Sequence, residues 1–317
     1  MPPRRRVGKR LVKSFLPIAL VIVLAVVGAL SFVVYCVTRP TKRPYVVTPE
    51  SFSRISGRAV KVSDETWANA DGRNARGWLL KGAEGAPAVV LLHRYGGDRS
   101  WLFNLGVKIN ETTNFTILWP DLRGHGENPL IGSTSLGVRE GDDLLAAIRY
   151  LRGLKTDSQK TLVGESVGVY GVELGAYSAL KAARNEPLVK VLVLDSVVLS
   201  PNDLLSTAVA SCVGLDNGLV QYFARVAMRG YMLGSFDGTS ACEFASAIKD
   251  PKVLLLSGND AGALRDATAS LQRCFPKGNV EVRTDLPLSG FGLPSVTGEQ
   301  GEAYDRVVIE FFARNLR

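Results

Sequence analysis

Thr161–Ala183 reads T-L-V-G-E-S-V-G-V-Y-G-V-E-L-G-A-Y-S-A-L-K-A-A, and both the fold and any chemistry depend on how this stretch divides into strand and helix. A sharp strand-to-helix turn that presents one side chain needs glycines two residues before and two after it, so that backbones can approach without Cβ clashes. Two frames fit. Gly164-Glu165-Ser166-Val167-Gly168 presents a serine, and Gly171-Val172-Glu173-Leu174-Gly175 presents a glutamate. The residues after Ser166, V-G-V-Y-G, are β-branched, aromatic or glycine and make a poor first helical turn. Those after Glu173, L-G-A-Y-S-A-L-K-A-A, are good helix formers. Val167–Tyr170 suits a short buried parallel strand. The turn is therefore expected at Glu173, with Ser166 at the entrance of the strand. A chance serine frame is unsurprising, because a chain with 32 glycines in 317 residues contains on the order of 0.2 such matches at random.

The N-terminal end has a different character. Residues 1–14 carry Arg4, Arg5, Arg6, Lys9, Arg10 and Lys13 and no acid, and Phe15–Val37 is uncharged. At about 1.5 Å per residue, that stretch spans a hydrocarbon core of about 30 Å. Residues 15–38 are read as a transmembrane helix in contact with the lipid bilayer. Val33-Val34-Tyr35-Cys36 offers no cleavage pattern, so the helix is expected to stay. Six positive charges precede it and three follow it closely, which predicts a cytoplasmic N-terminus and an extracytoplasmic main domain. In a Gram-negative host that domain would face the periplasm.

The net charge of +8 does not indicate nucleic acid. Nine of the 38 basic residues and none of the 30 acids fall in residues 1–43, which leaves 29 against 30 in the remainder. A near-neutral exported domain without a basic stripe predicts no nucleic-acid partner. With Cys36 assigned to the span, Cys212, Cys242 and Cys274 are an odd set. They are read as buried thiols, with Cys212 to Cys242 as the alternative disulfide, and their spacing fits no metal site.

Residues 39–57, with Pro40, Pro44 and Pro49, read as a linker, and 58–317 as one α/β domain. Arg58–Trp67 and Arg76–Leu80 read as strands around a turn at Asp71-Gly72. Ala88–Leu92, Phe115–Trp119, Val189–Leu194 and Val253–Ser257 read as buried strands. Asp142–Leu154 and Glu302–Leu316 have helical periodicity. Residues 200–249 are mixed and helical in pattern, suited to a small lid. Strands alternating with helices imply a mostly parallel sheet covered on both faces.

Three further stretches carry a resemblance: H-R-Y-G-G-D-R-S at 93–100, D-L-R-G-H-G-E-N at 121–128 and V-L-V-L-D-S at 191–196. With the glycine frame they resemble the α/β-hydrolase superfamily, in particular its bacterial esterase and peptidase-like branch, over about residues 58–316. The resemblance implies a nucleophile, an acid and a histidine, in that order along the chain. This sequence departs at each position. Glu173 stands at the elbow, Asp260 is one residue early for the acid, and Phe291 stands where the histidine belongs. The two histidines, His93 and His125, both precede the elbow. Arg94 replaces the small residue that leaves room for an oxyanion. The resemblance places a pocket among His93, Arg94, Tyr95, Glu173 and Phe291, with Arg94 expected to pair with the Glu173 carboxylate and Arg123 as its alternative partner.

The expectation is thus a membrane-anchored protein of α/β-hydrolase fold with a degenerate site. It would act by binding a small-molecule or protein ligand, without cofactor or metal. The alternative is an active serine hydrolase using Ser166, and an enzyme with Glu173 as nucleophile ranks third.

Overall fold

The computed structural model describes residues 5–236, 238–276, 278–293 and 299–316, with side chains from residue 15 onward. The strands are β1 (Val62–Ala68), β2 (Asn74–Leu80), β3 (Ala86–Leu92), β4 (Thr116–Pro120), β5 (Val163–Val172), β6 (Val189–Asp195), β7 (Lys252–Leu256) and β8 (Val280–Arg283). They form one sheet in the order β1-β2-β4-β3-β5-β6-β7-β8. The first two pairings, β1 with β2 and β2 with β4, are antiparallel; every pairing from β4 through β3 to β8 is parallel. The central strands are apolar on both faces, as a parallel strand covered twice requires, and Ala88–Leu92 is wholly inaccessible.

The helices are α1 (Arg5–Thr38), α2 (Pro49–Ser56), α3 (Phe103–Thr113), α4 (Glu140–Gly153), α5 (Leu174–Ala183), α6 (Pro201–Val213), α7 (Gly218–Tyr231), α8 (Ala241–Ala247), α9 (Ala263–Leu271) and α10 (Glu299–Asn315). An apolar cluster joins β3, β4, β5 and β6 to α3 and α10 through Phe103, Trp119, Tyr170, Tyr304 and Phe312. The Trp119 indole donates to the Leu102 carbonyl at 2.9 Å, which satisfies its one polar atom in the core.

The chain divides into two compact units, Thr38–Leu204 with Phe236–Arg317, and Met1–Val37 with Leu205–Ser235. The first contains the whole sheet. It also holds much of the segment read as a linker. Tyr45 donates to Asp121 at 2.8 Å and packs edge-on against Trp78, the Val46 amide donates to Ser100 Oγ at 2.9 Å, and Phe52 meets Phe103 edge-on. Prolines suggested a free spacer, but the aromatic residues between them fix this segment to the domain. Phe15–Thr38, which lies in the second unit up to Val37, is long and apolar enough to cross a membrane.

The cysteines correct the thiol reading. Cys36 pairs with Cys212 and Cys242 with Cys274. The first bridge joins residues 176 apart, and it was obscured by assigning Cys36 to the span alone.

Candidate active site

The strand-to-helix turn lies at Glu173, between β5 and α5. Its backbone is in the left-handed region, φ 51° and ψ −105°, which costs a non-glycine residue about 1–3 kcal/mol. The glycine frame is required by close approach. A Cβ at Gly171 would lie 2.5 Å from the Gly175 carbonyl carbon, and one at Gly175 would lie 2.4 Å from the Leu92 carbonyl oxygen at the end of β3. The Glu173 amide donates to the Asp195 carbonyl at 3.0 Å, which ties the elbow to β6. Ser166 is half-buried near the amino end of β5, on a bulged stretch paired with β3. Seven residues of strand put it roughly 20 Å from the elbow.

The Glu173 side chain folds back over its own turn. Its Oε2 accepts the Tyr95 amide at 2.9 Å, and the Leu174 amide also bonds the carboxylate. These donors are the backbone N–H after the elbow residue and one from the loop after β3, the two that would stabilise an oxyanion at such a turn. Burial pushes the Glu173 carboxyl up to about 7, while the two amides and the Arg94 charge act the other way.

Arg94 is not the direct partner expected for Glu173. Its guanidinium lies 4.4 Å from the Trp101 ring and 5.1 Å from the Phe291 ring, and its Nη1 donates to the Tyr95 carbonyl at 3.1 Å. Among the described residues, no ion pair within 4 Å joins Glu173 to Arg94 or Arg123. Arg123 instead binds Asp143 through Nε at 2.6 Å, with Asp71 at 3.4 Å. Two aromatic faces offered Arg94 a planar stack, and two backbone amides had already satisfied the carboxylate.

Both histidines are buried and held neutral. The Leu122 amide donates to His93 Nε2 at 3.1 Å, so the proton is on Nδ1, which donates to the Arg94 carbonyl at 2.8 Å. His93 thus fastens the loops after β3 and β4 to each other. His125 Nδ1 donates to the Arg123 carbonyl at 2.9 Å, and its buried Nε2 has no partner among the described residues. Burial lowers the His93 ring well below its usual value and the His125 ring to about 4. Neither ring bonds the Glu173 carboxylate.

Solved structures share this overall fold. An esterase from Pyrococcus furiosus matches with a TM-score of 0.63 at 19% identity, over 88% of this chain and 98% of its own. The chain has the α/β-hydrolase fold. Est1E from Butyrivibrio proteoclasticus, bound to ferulic acid, matches at 0.59 and 17% identity over 79% and 99% of the two chains. A thermophilic esterase from Thermogutta terrifontis matches at 0.56 and 17% identity over 80% and 100%. At these identities the likeness carries the fold. No family model and no curated protein matches in sequence.

Set on the α/β-hydrolase frame, the remaining site positions are structural in their contacts. Asp260 is exposed, and its carboxylate accepts the Ser289 amide at 2.7 Å. It holds the loop before Phe291, whose ring covers Arg94. A second carboxylate at this edge was missed in the sequence. Asp195, at the end of β6, accepts the Gly290 amide at 2.8 Å, the Ser196 hydroxyl at 2.6 Å and the Tyr304 hydroxyl, while Tyr170 lies 2.7 Å from Tyr304. Burial raises it to about 6 against these donors. The signal was present: an apolar run that ends in an acid puts that acid at the carboxyl edge of the sheet, beside the elbow.

A cavity of about 90 Å³ lies among Pro40–Pro44, Val46, Gly96–Asp98, Trp101 and Gly124–Gly126, well below the roughly 300 Å³ of a small ligand pocket. A cavity of about 400 Å³ sits elsewhere, between α2, α3 and α10.

Proposed function

We propose that this is a membrane-anchored α/β-hydrolase-fold protein whose catalytic positions have become structural, and that it acts by binding or scaffolding outside the cytoplasm. The observation that carries this reading is the Glu173 carboxylate on the Tyr95 and Leu174 amides. An acyl-transfer reaction needs those donors free for a developing oxyanion and needs an imidazole to move the proton. Here the donors hold a side chain of the protein itself, and Phe291 stands where that imidazole belongs. Residues around His93, Arg94, Tyr95, Glu173 and Phe291 would then form a rigid platform for a small-molecule or protein ligand. Anchoring rests on Phe15–Thr38 and the charges before it. The two disulfides favour an oxidising compartment for the main domain.

The competing reading is a serine hydrolase using Ser166. Its place on a strand, remote from the oxyanion donors, disfavours it. A fluorophosphonate probe separates the two. The purified full chain should stay unlabelled, and labelling that Ser166→Ala abolishes would overturn the proposal.

A further inference from the structure

Helix α7 is apolar on two opposite sides. Gln221, Ala224 and Met228 form its buried face. Across the helix, Leu219, Tyr222, Phe223 and Val226 are 65%, 59%, 41% and 48% exposed, and Leu215 before the helix and Leu233 after it are exposed as well. Such a contiguous apolar surface is uncommon on a soluble domain and calls for a covering surface.

The identity of that surface follows from a covalent bond within the same compact unit. Cys212, at the end of α6, is bonded to Cys36 near the exit of α1, with Cα atoms 6.3 Å apart. Cys36 lies two residues before the end of the Phe15–Thr38 span, and Arg39, Lys42 and Arg43 follow, so it marks the boundary between hydrocarbon and headgroups. Gly218 opens α7 only six residues after Cys212, a reach of at most about 20 Å. The helix therefore starts within about 20 Å of that boundary. Its composition suits that zone. It contains no acid, Arg225 and Arg229 flank the exposed stripe on one side and can reach phosphates, and Tyr222 and Tyr231 carry amphipathic rings.

We infer that α7 lies flat on the outer leaflet, with Leu219, Tyr222, Phe223 and Val226 in the boundary between headgroups and acyl chains. This rests on the membrane-anchored reading of α1. The disulfide would then make two membrane contacts, one spanning and one interfacial, into a single unit with a fixed orientation.

The test places a photoreactive benzoylphenylalanine at position 219, 223 or 226, and separately at Val23 in α1. The full chain is reconstituted in phosphatidylethanolamine and phosphatidylglycerol vesicles, and adducts are identified by mass spectrometry. Lipid adducts are expected at all four positions, with the adduct at 223 lost when Leu219→Glu and Val226→Glu are introduced together. Lipid at 23 but none at 219, 223 and 226, or adducts there to a second copy or another protein, would overturn the interfacial helix and leave the anchor standing. Absence of lipid at 23 would remove the anchor and this inference with it.

Discussion

Glu140 and Glu173 are both buried glutamates beside the first turn of a helix, yet they are held in opposite ways. Glu140 accepts the Thr134 hydroxyl at 2.6 Å, the Ser135 amide at 2.8 Å and hydroxyl at 2.5 Å, and the Gly137 amide at 2.9 Å. Burial alone would raise its pKa, but the Arg123 charge and these donors together keep it below the ordinary value. Glu173 has two amides and the charge of Arg94, and burial wins: its carboxyl rises to about 7. The loop before α4 is built around its carboxylate. The elbow offers Glu173 only the donors that such a turn presents to any negative oxygen, and these do not fully replace water. A carboxylate buried on so few donors is held at a cost to stability.

The largest effect expected from breaking this contrast is at Glu140. Glu140→Ala strands four donors and leaves the Arg123 charge with less compensation, and should destabilise the domain by about 4 kcal/mol in denaturant titrations of the detergent-solubilised chain. Glu173→Ala should cost far less. Equal losses would remove the distinction between a fully solvated carboxylate and a partly solvated one.

A smaller effect is expected at Arg94. Without a direct ion pair to lose, Arg94→Ala gives up its stacking on Trp101 and Phe291 and should lower stability by about 1 kcal/mol. The loss expected for a buried ion pair, about 3 to 5 kcal/mol, would indicate a pair to Glu173 after all.

Much of the fold could be read from runs of apolar residues, because a parallel strand covered on both faces leaves little else to choose. Ala88–Leu92, Phe115–Trp119, Val189–Leu194 and Val253–Ser257 correspond to β3, β4, β6 and β7. The edge strand β8 escaped notice because V-E-V-R is short and alternates in burial, and α3 because F-N-L-G-V-K-I-N-E-T-T is poor in strong helix formers. At the site, the helix formers after Glu173 located the elbow, and the hydrogen bonds of His93 fasten two loops to each other. The partner of the carboxylate was not legible. Side-chain chemistry suggested a guanidinium, whereas backbone amides, which any sequence carries, took the position. Tyr45 teaches the same lesson for the linker, since its bond to Asp121 depends on a surface that exists only once β4 is in place.

The central claim is that Glu173 is buried on two amides with too few donors to sustain its charge easily. Its folded pKa is raised from 4.5 to about 7, so the wild-type carboxyl favours folding most below its unfolded value, and that advantage is lost as pH rises through about 7. Glu173→Gln keeps an oxygen for the amides and does not titrate. Denaturant stability of the two proteins, measured side by side between pH 4 and 8, isolates this one group from the other buried acids and histidines. The difference should move in favour of Glu173→Gln by about 3 kcal/mol between pH 4.5 and 7 and level off above it. A difference that stays constant across that range would mean that the carboxylate faces water, and would contradict the account.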